Sequence, residues 1–226
     1  MKALVLFSGG LDSTTCLALA VKEYGANNVI ALSLYYGQKH KKEIEAANRI
    51  SEYYNVQHIC YNVAEIFEGS DCSLIYGNAD VPPKSYKEQL EESGGKPVST
   101  YVPYRNGLFL SIAASVAISK GCKVIYYGAH KDDAAGNAYP DCSINFHNAV
   151  SQAIYIGSGN KVEVIDPFIN KNKADIVKIG TEINVPYGMT WSCYNGREKP
   201  CGKCGTCIDR IEAFKKNGIS DPLQYD

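Results

Sequence analysis

The chain has 226 residues, 45% of them hydrophobic and 21% charged, with a formal net charge of -1. That length suits one α/β domain with a well-buried core and a small appendage, and the composition is that of a soluble globular protein. A charge so close to balance supplies no global basic field, so neither nucleic acid nor an anionic membrane is an expected partner.

The first apolar run, Ala3-Leu4-Val5-Leu6-Phe7, is stopped by Gly9-Gly10 and is too short for the core of an export signal. No later stretch approaches a membrane span, and a cytoplasmic location is the expectation. Lys2–Phe7 predicts a buried strand, and Ser13 to about Tyr24 a helix with Leu17, Ala18, Ala20 and Val21 on its apolar side. Between them lies Phe7-Ser8-Gly9-Gly10-Leu11-Asp12-Ser13-Thr14-Thr15. A helix N-terminus after a parallel strand offers free N–H groups and a positive dipole end, and paired glycines let backbone approach an anion. Ser8, Ser13 and Thr14 add hydroxyl donors, while Asp12 would orient the loop or help to hold a magnesium ion. An ordinary strand–turn–helix with an Asp/Ser cap would use similar residues. The complete Ser-Gly-Gly-Leu-Asp-Ser string in this place favours phosphate binding, although it lacks the Gly-Lys-Ser/Thr of a Walker loop and the three spaced glycines of a dinucleotide site. It resembles the PP-loop of the ATP pyrophosphatase superfamily, which implies cleavage of ATP between the α- and β-phosphates and transfer of AMP to a substrate oxygen.

Further along, Val29–Tyr36 predicts a second strand, Lys41–Tyr54 an amphipathic helix and Val56–Val63 a third strand. Tyr36-Gly37-Gln38 closes the second strand beside the loop, where Tyr36 could meet adenine or ribose. Glu68–Thr100 is rich in Gly, Pro, Ser and charge with no sustained period, a long loop for a compact domain and therefore a functional or interface segment. A helix is predicted at Asn106–Lys120, a strand at Lys123–Gly128, a helix near Ser143–Gly157 and a strand at Val162–Ile165. Strand–helix alternation of this kind predicts a doubly wound, mostly parallel sheet of Rossmann-like type.

Several polar groups fall at predicted element ends. Arg105 and Asn106 open a long helix, where guanidinium and amide could grip a carboxylate or phosphate, or simply start the helix. His130 and Asp133 follow the fourth strand and suit nucleotide or magnesium contacts. Asp141 is an acidic acceptor for adjacent N–H donors of a guanine-like edge. Lys173 opens a helix from which it could reach leaving pyrophosphate, although a solvated lysine is commoner.

The chain divides into an ATP-binding α/β part, residues 1–182, and a C-terminal part, 183–226, packed on the same domain and ending in a helix at about Ile208–Lys216. The second part carries Cys193, Cys201, Cys204 and Cys207 with intervening glycines. Four thiolates suit one structural zinc ion with no position left for water, with an iron–sulfur cluster or free thiols as rivals.

Taken together, the phosphate loop, Tyr36-Gly37-Gln38, Val102-Pro103-x-Arg105-Asn106, Gly128-Ala129-His130-x-x-Asp133, Tyr139-Pro140-Asp141-Cys142 and Thr190-x-Ser192-Cys193 resemble the 7-cyano-7-deazaguanine synthase family over nearly the whole chain. The resemblance implies ATP-dependent conversion of 7-carboxy-7-deazaguanine and ammonia to the nitrile through an adenylated carboxylate and an adenylated amide. It also implies magnesium on the phosphates, structural zinc on the four cysteines and a homodimer. A related PP-loop ligase with another acceptor, a tRNA base or a protein, and a zinc-bearing nucleotide-binding module without activity are the alternatives.

Overall fold

A computed structural model describes all residues, 1–226. The short apolar runs, rich in β-branched residues, form five strands: β1 Lys2–Leu6, β2 Val29–Tyr35, β3 Gln57–Asn62, β4 Cys122–Tyr126 and β5 Glu163–Ile165. Every pairing is parallel, in the order β3-β2-β1-β4-β5. Parallel neighbours need crossovers, and helices supply them: α1 Leu11–Tyr24, α2 Lys42–Tyr53, α3 Tyr86–Ser93, α4 Arg105–Lys120, the short α5 Lys131–Ala134, α6 Ile144–Gly157, α7 Lys173–Glu182 and α8 Gly205–Lys216.

The period-2 alternation of a strand places successive residues on opposite faces. Ala3 and Val5 of β1 therefore enter one core with Leu17 of α1, Ile50 of α2, Ile176 of α7 and Phe214 of α8. Leu4, between them, enters the other core with Leu110 and Ala113 of α4 and Ile154 of α6. From β1 the chain proceeds to β2 and β3 on one side and to β4 and β5 on the other. The helices leaving β1 and β4 thus diverge to opposite faces, and a crevice opens at the carboxyl ends of these two strands.

Within Glu68–Thr100, for which no regular element is predicted, the structure contains α3, opened by a capping box. Ser85 accepts the Glu88 N–H, and the Glu88 carboxylate accepts the Ser85 N–H. The Ser-x-x-Glu signature is present in the sequence, but eight residues are too few to show a helical period. The last helix starts at Gly205 rather than Ile208, which brings Cys207 into its first turn. No helix is long and apolar enough to cross a membrane.

The C-terminal residues are tied down by Arg210, the largest fully buried side chain. Its guanidinium donates to both Asp221 oxygens at 2.7 and 3.0 Å, to Thr190 Oγ1 at 2.6 Å and to the Tyr187 carbonyl at 3.0 Å. Burial opposes the Asp221 charge, but the Arg210 hydrogen bonds and charge outweigh it and hold the carboxyl below its ordinary value. Arg210→Met leaves Asp221 buried and unpaired, and is expected to cost about 3–5 kcal/mol in denaturant unfolding at pH 7. Because the folded value lies below the unfolded one, the pair's contribution is complete at neutral pH. It is lost as the pH falls below 3.8 and through the folded value. Asp221→Asn should accordingly flatten the acid limb of the stability profile.

Candidate active site

The crevice at the carboxyl ends of β1 and β4 is a cavity of about 210 Å³. Residues that are remote in sequence converge there: the loop after β1, Tyr36 after β2, Glu43 of α2, Arg105 and Asn106 of α4, Asp133, Lys173 of α7, Trp191, Ser192 and Tyr194 of the cysteine segment, and Asp209 of α8.

The loop is preorganised by its own hydroxyls. Ser8 and Ser13 share a hydrogen bond of 3.0 Å, the Ser8 N–H donates to Ser13 Oγ at 3.2 Å, and the Gly10 N–H donates to Ser8 Oγ at 3.2 Å. Helices α3, α6 and α7 begin with side-chain caps, whereas α1, with Gly10 at its N-cap, has none, as is also the case for α2 and α8. The first N–H groups of α1 thus face the cavity uncapped, where the positive end of the helix dipole favours an anion. Phe7, Ser8, Gly10, Leu11, Asp12 and Ser13 line the cavity. Gly9, Thr14 and Thr15 do not. Thr14 Oγ1 donates to the Gly10 carbonyl at 2.7 Å, and Thr15 Oγ1 to the Leu11 carbonyl at 2.9 Å, where it also meets the Tyr187 hydroxyl. Gly9 has φ +81°, and a Cβ there would lie 2.5 Å from the Glu43 carbonyl and 2.6 Å from the Ala47 nitrogen. The loop backbone therefore rests directly on α2.

At the start of α1 and α7, Lys173 Nζ meets Asp12 Oδ2 at 2.6 Å. Burial works against both charges. The Lys173 charge nevertheless keeps the Asp12 carboxyl below its ordinary value, and Asp12 and Asp133 keep the ammonium above its own. The other oxygen, Asp12 Oδ1, is buried without a hydrogen-bond partner. An orphaned carboxylate oxygen beside a phosphate-sized anion site suits a magnesium ion. Asp209 joins this group from α8, its carboxyl pushed up to about 6 by burial against the pull of Lys173. His130 is fully buried outside the cavity, with Nε2 3.3 Å from Asp133 Oδ2, so it backs Asp133 rather than facing a ligand.

On the opposite wall the Arg105 guanidinium lies over the Tyr36 ring, 5.3 Å from its centroid. Burial disfavours its charge, yet the surrounding oxygens of Tyr36, Tyr194 and Asp141 hold it protonated. Asp141 departs from its expected place at a base edge. It is buried, its Oδ2 accepts the Asn106 N–H at 2.8 Å, and its backbone carbonyl accepts the Asn106 amide at 3.1 Å. The carboxylate caps α4 and so aims Arg105 and Asn106, while Cys142 beside it lines the cavity. That cap joins residues 35 apart in the chain, which no local pattern shows.

The four cysteines of the C-terminal segment are buried, with sulfur atoms all within 4.8 Å of one another. The Asn195 and Cys201 N–H groups donate to Cys193 Sγ at 3.4 and 3.3 Å, and those of Lys203 and Cys204 to Cys201 Sγ at 3.4 Å. Such donors stabilise thiolates. Hydrogen bonds from the neighbouring thiols hold the Cys193 thiol far below the usual range, while Cys204 and Cys207 are driven up. Sulfurs that cannot all ionise together are what a bound cation resolves, so the cluster can hold a metal. It sits next to the phosphate loop, to whose Gly9 carbonyl the Trp191 N–H donates at 3.0 Å.

Sequence reasoning misses Glu43, Tyr86, Tyr127, Trp191, Tyr194 and Asp209 in the cavity wall. Trp191 lies inside the Thr190-x-Ser192-Cys193 motif, a signal that could have found it. Glu43 in the first turn of α2 and Asp209 on α8 resemble solvated helix faces, and only the packing of those helices turns them inward.

A model of the family described as Queuosine biosynthesis protein QueC matches residues 2–218. The chain is 41% identical over 227 residues to a 7-cyano-7-deazaguanine synthase of Archaeoglobus fulgidus, covering 100% of this chain and 91% of that protein. It is also 41% identical over 225 residues to a 7-cyano-7-deazaguanine synthase of Pseudoalteromonas atlantica, covering 100% and 99%. In fold it resembles the U34-tRNA thiolase NcsA of Methanococcus maripaludis with its [4Fe-4S] cluster, with TM-score 0.53, 17% identity, and coverage of 96% of this chain and 67% of that one.

Gly9 offers a sharp test of the loop's packing. Gly9→Ala places a Cβ against backbone at a positive φ, and is expected to cost about 3 kcal/mol in urea unfolding and to weaken nucleotide binding. Gly10→Ala would meet only Ser8 Oγ at 3.2 Å and the Trp191 carbonyl at 3.5 Å, and should cost less than half as much.

Proposed function

The chain belongs to the queuosine biosynthesis QueC family, and on that premise we propose that its cavity converts 7-carboxy-7-deazaguanine, ATP and ammonia to 7-cyano-7-deazaguanine by two successive adenylations. The observation that carries this reading is a single cavity with an uncapped helix N-terminus and the Asp12–Lys173 pair on one wall and a half-buried, charged Arg105 on the other. One wall suits a triphosphate and the other a carboxylate.

In this reading Phe7–Ser13 hold the phosphates, with Tyr36 and Asp133 at the nucleotide's flanks. Arg105 and Asn106 orient the substrate carboxylate so that one oxygen reaches the α-phosphorus. Lys173 meets the charge that develops on departing pyrophosphate, and its contact with Asp12 keeps that ammonium in place until then. A magnesium ion held at Asp12 Oδ1 would neutralise phosphate charge. The chemistry needs the adenylation twice. A carboxylate and an amide are both poor electrophiles, and bonding the oxygen to AMP makes it a leaving group each time. Ammonia displaces the first AMP to give the amide. Loss of the second, with two protons from nitrogen, gives the nitrile.

Zinc is the metal that best suits the four cysteines. Four sulfurs about 2.3 Å from one ion are roughly 3.8 Å apart, and these sulfurs lie within 4.8 Å of one another. A four-iron cluster would need thiolates spread around a larger body. The ion's role is structural, one per chain, cross-linking the C-terminal part, 183–226, within itself. The family resemblance favours a homodimer in the cytoplasm.

Incubation with ATP, magnesium, ammonium and 7-carboxy-7-deazaguanine should yield AMP, pyrophosphate and the nitrile; ADP, or AMP without nitrile, would overturn the proposal. Asp12→Asn is expected to abolish AMP formation while its zinc content is unchanged. Elemental analysis should find one zinc per chain, lost in Cys204→Ser together with several degrees of thermal stability. Iron with visible absorbance would refute the zinc assignment.

A further inference from the structure

Behind the main cavity lies a second one of about 10 Å³, room for a single molecule the size of water. Tyr36, Gln38, Glu43 and Tyr194 line both cavities, and Lys39, His40 and Leu74 line only the small one. His40 Nδ1 is buried with no hydrogen-bond partner. Glu43 is desolvated, with Arg105 as its charged neighbour and no hydrogen bond shifting its carboxyl. Gln38 Oε1 is already used by the Tyr36 N–H at 2.9 Å. Lys39, also in this lining, turns its ammonium away to the carbonyls of Asn78 and Ala79, at 3.0 and 2.7 Å.

A carboxylate with no hydrogen bond, on the wall of a water-sized space, suits a small molecule rich in donors. Water brings two N–H or O–H donors at most, ammonium four. The reaction requires such a molecule, since the carboxylate becomes a nitrile and its nitrogen comes from neither the phosphates nor the carboxyl group. At neutral pH ammonia is present mainly as ammonium, which has no lone pair and cannot attack.

We propose that this small cavity is the ammonium site of the enzyme, and that Glu43, on the wall shared with the main cavity, takes the proton that turns bound ammonium into the nucleophile. The proposal rests on the adenylation reading above. One N–H bond of ammonium breaks and its proton passes to a Glu43 carboxylate oxygen. The freed lone pair forms the C–N bond to the acyl adenylate, the C–O bond to AMP breaks, and AMP leaves with that electron pair. A further proton passes from nitrogen to the phosphate of the departing AMP, which leaves the neutral amide. Burial pushes the Glu43 carboxyl up to about 7, with Arg105 opposing, so it can accept a proton and release it again near neutral pH. The charged and titratable groups facing it are Tyr36, Arg105, Tyr194, His40 and Lys39. None of the others combines a free carboxylate with a place on both cavities.

The test separates the ammonium step from adenylation in the full-length enzyme. Glu43→Gln preserves shape, and is expected to lower kcat/KM for ammonium about 100-fold at pH 7. Pyrophosphate exchange into ATP, driven by 7-carboxy-7-deazaguanine without ammonium, should change only a few-fold. The variant's rate at fixed total ammonium should climb steadily above pH 7 as free ammonia increases, whereas the parent enzyme levels off. Leu74→Phe, which fills the small cavity from its far side, should raise the KM for ammonium about tenfold without altering the KM for ATP. The proposal is overturned if Glu43→Gln keeps the parent's ammonium dependence, if exchange falls in parallel with nitrile formation, or if folded Leu74→Phe leaves the ammonium KM unchanged. Absence of exchange in the parent enzyme would instead refute the adenylation reading.

Discussion

Everything in the site depends on how closely the backbone at Gly9 approaches its neighbours. The loop after β1 lies in contact with the main chain of α2, with no room for a Cβ, and its Gly9 carbonyl accepts the Trp191 N–H. These two contacts hold the strand-to-helix turn between an element of the sheet domain and the cysteine segment. The start of α1 is thereby presented to the crevice without a side-chain cap. The same contacts bring Glu43 on α2 and Trp191 into the cavity wall. A metal held by the cysteines would brace the loop from behind, through Trp191 and the hydrogen bond that its indole makes to the Cys193 carbonyl at 2.8 Å.

Burial differentiates carboxyl groups that are alike in sequence. Asp12 stays ionised because Lys173 lies 2.6 Å away. Asp209 and Glu43, less well compensated, are pushed up to about 6 and about 7. Asp141 is spent on the N-terminus of α4. A single cavity thus combines a permanent anion with groups able to exchange protons near neutrality, while a cap outside its lining aims Arg105. The roles follow from the neighbours that each group has, and these are set by helix packing rather than by the residue type.

The alternation of apolar runs and helical patterns, the glycine-rich turn after the first strand and the clustered cysteines were all legible without coordinates. They are local signals: strand and helix periods, a turn that needs glycine, and thiols a few residues apart that must converge. These imply a parallel α/β fold, a cavity-lining loop after β1 and a cysteine cluster near the C-terminus that can hold a metal. The tertiary structure alone decided which hydroxyls face the cavity, turning Thr14 and Thr15 into helix and Tyr187 contacts. It also moved Asp141 from a base edge to a helix cap and brought Glu43, Tyr194 and Asp209 into the wall. Apart from the bonds of Thr14 and Thr15 to carbonyls four residues back, those outcomes depend on contacts between residues tens to more than a hundred positions apart, whose geometry is set by packing across the sheet.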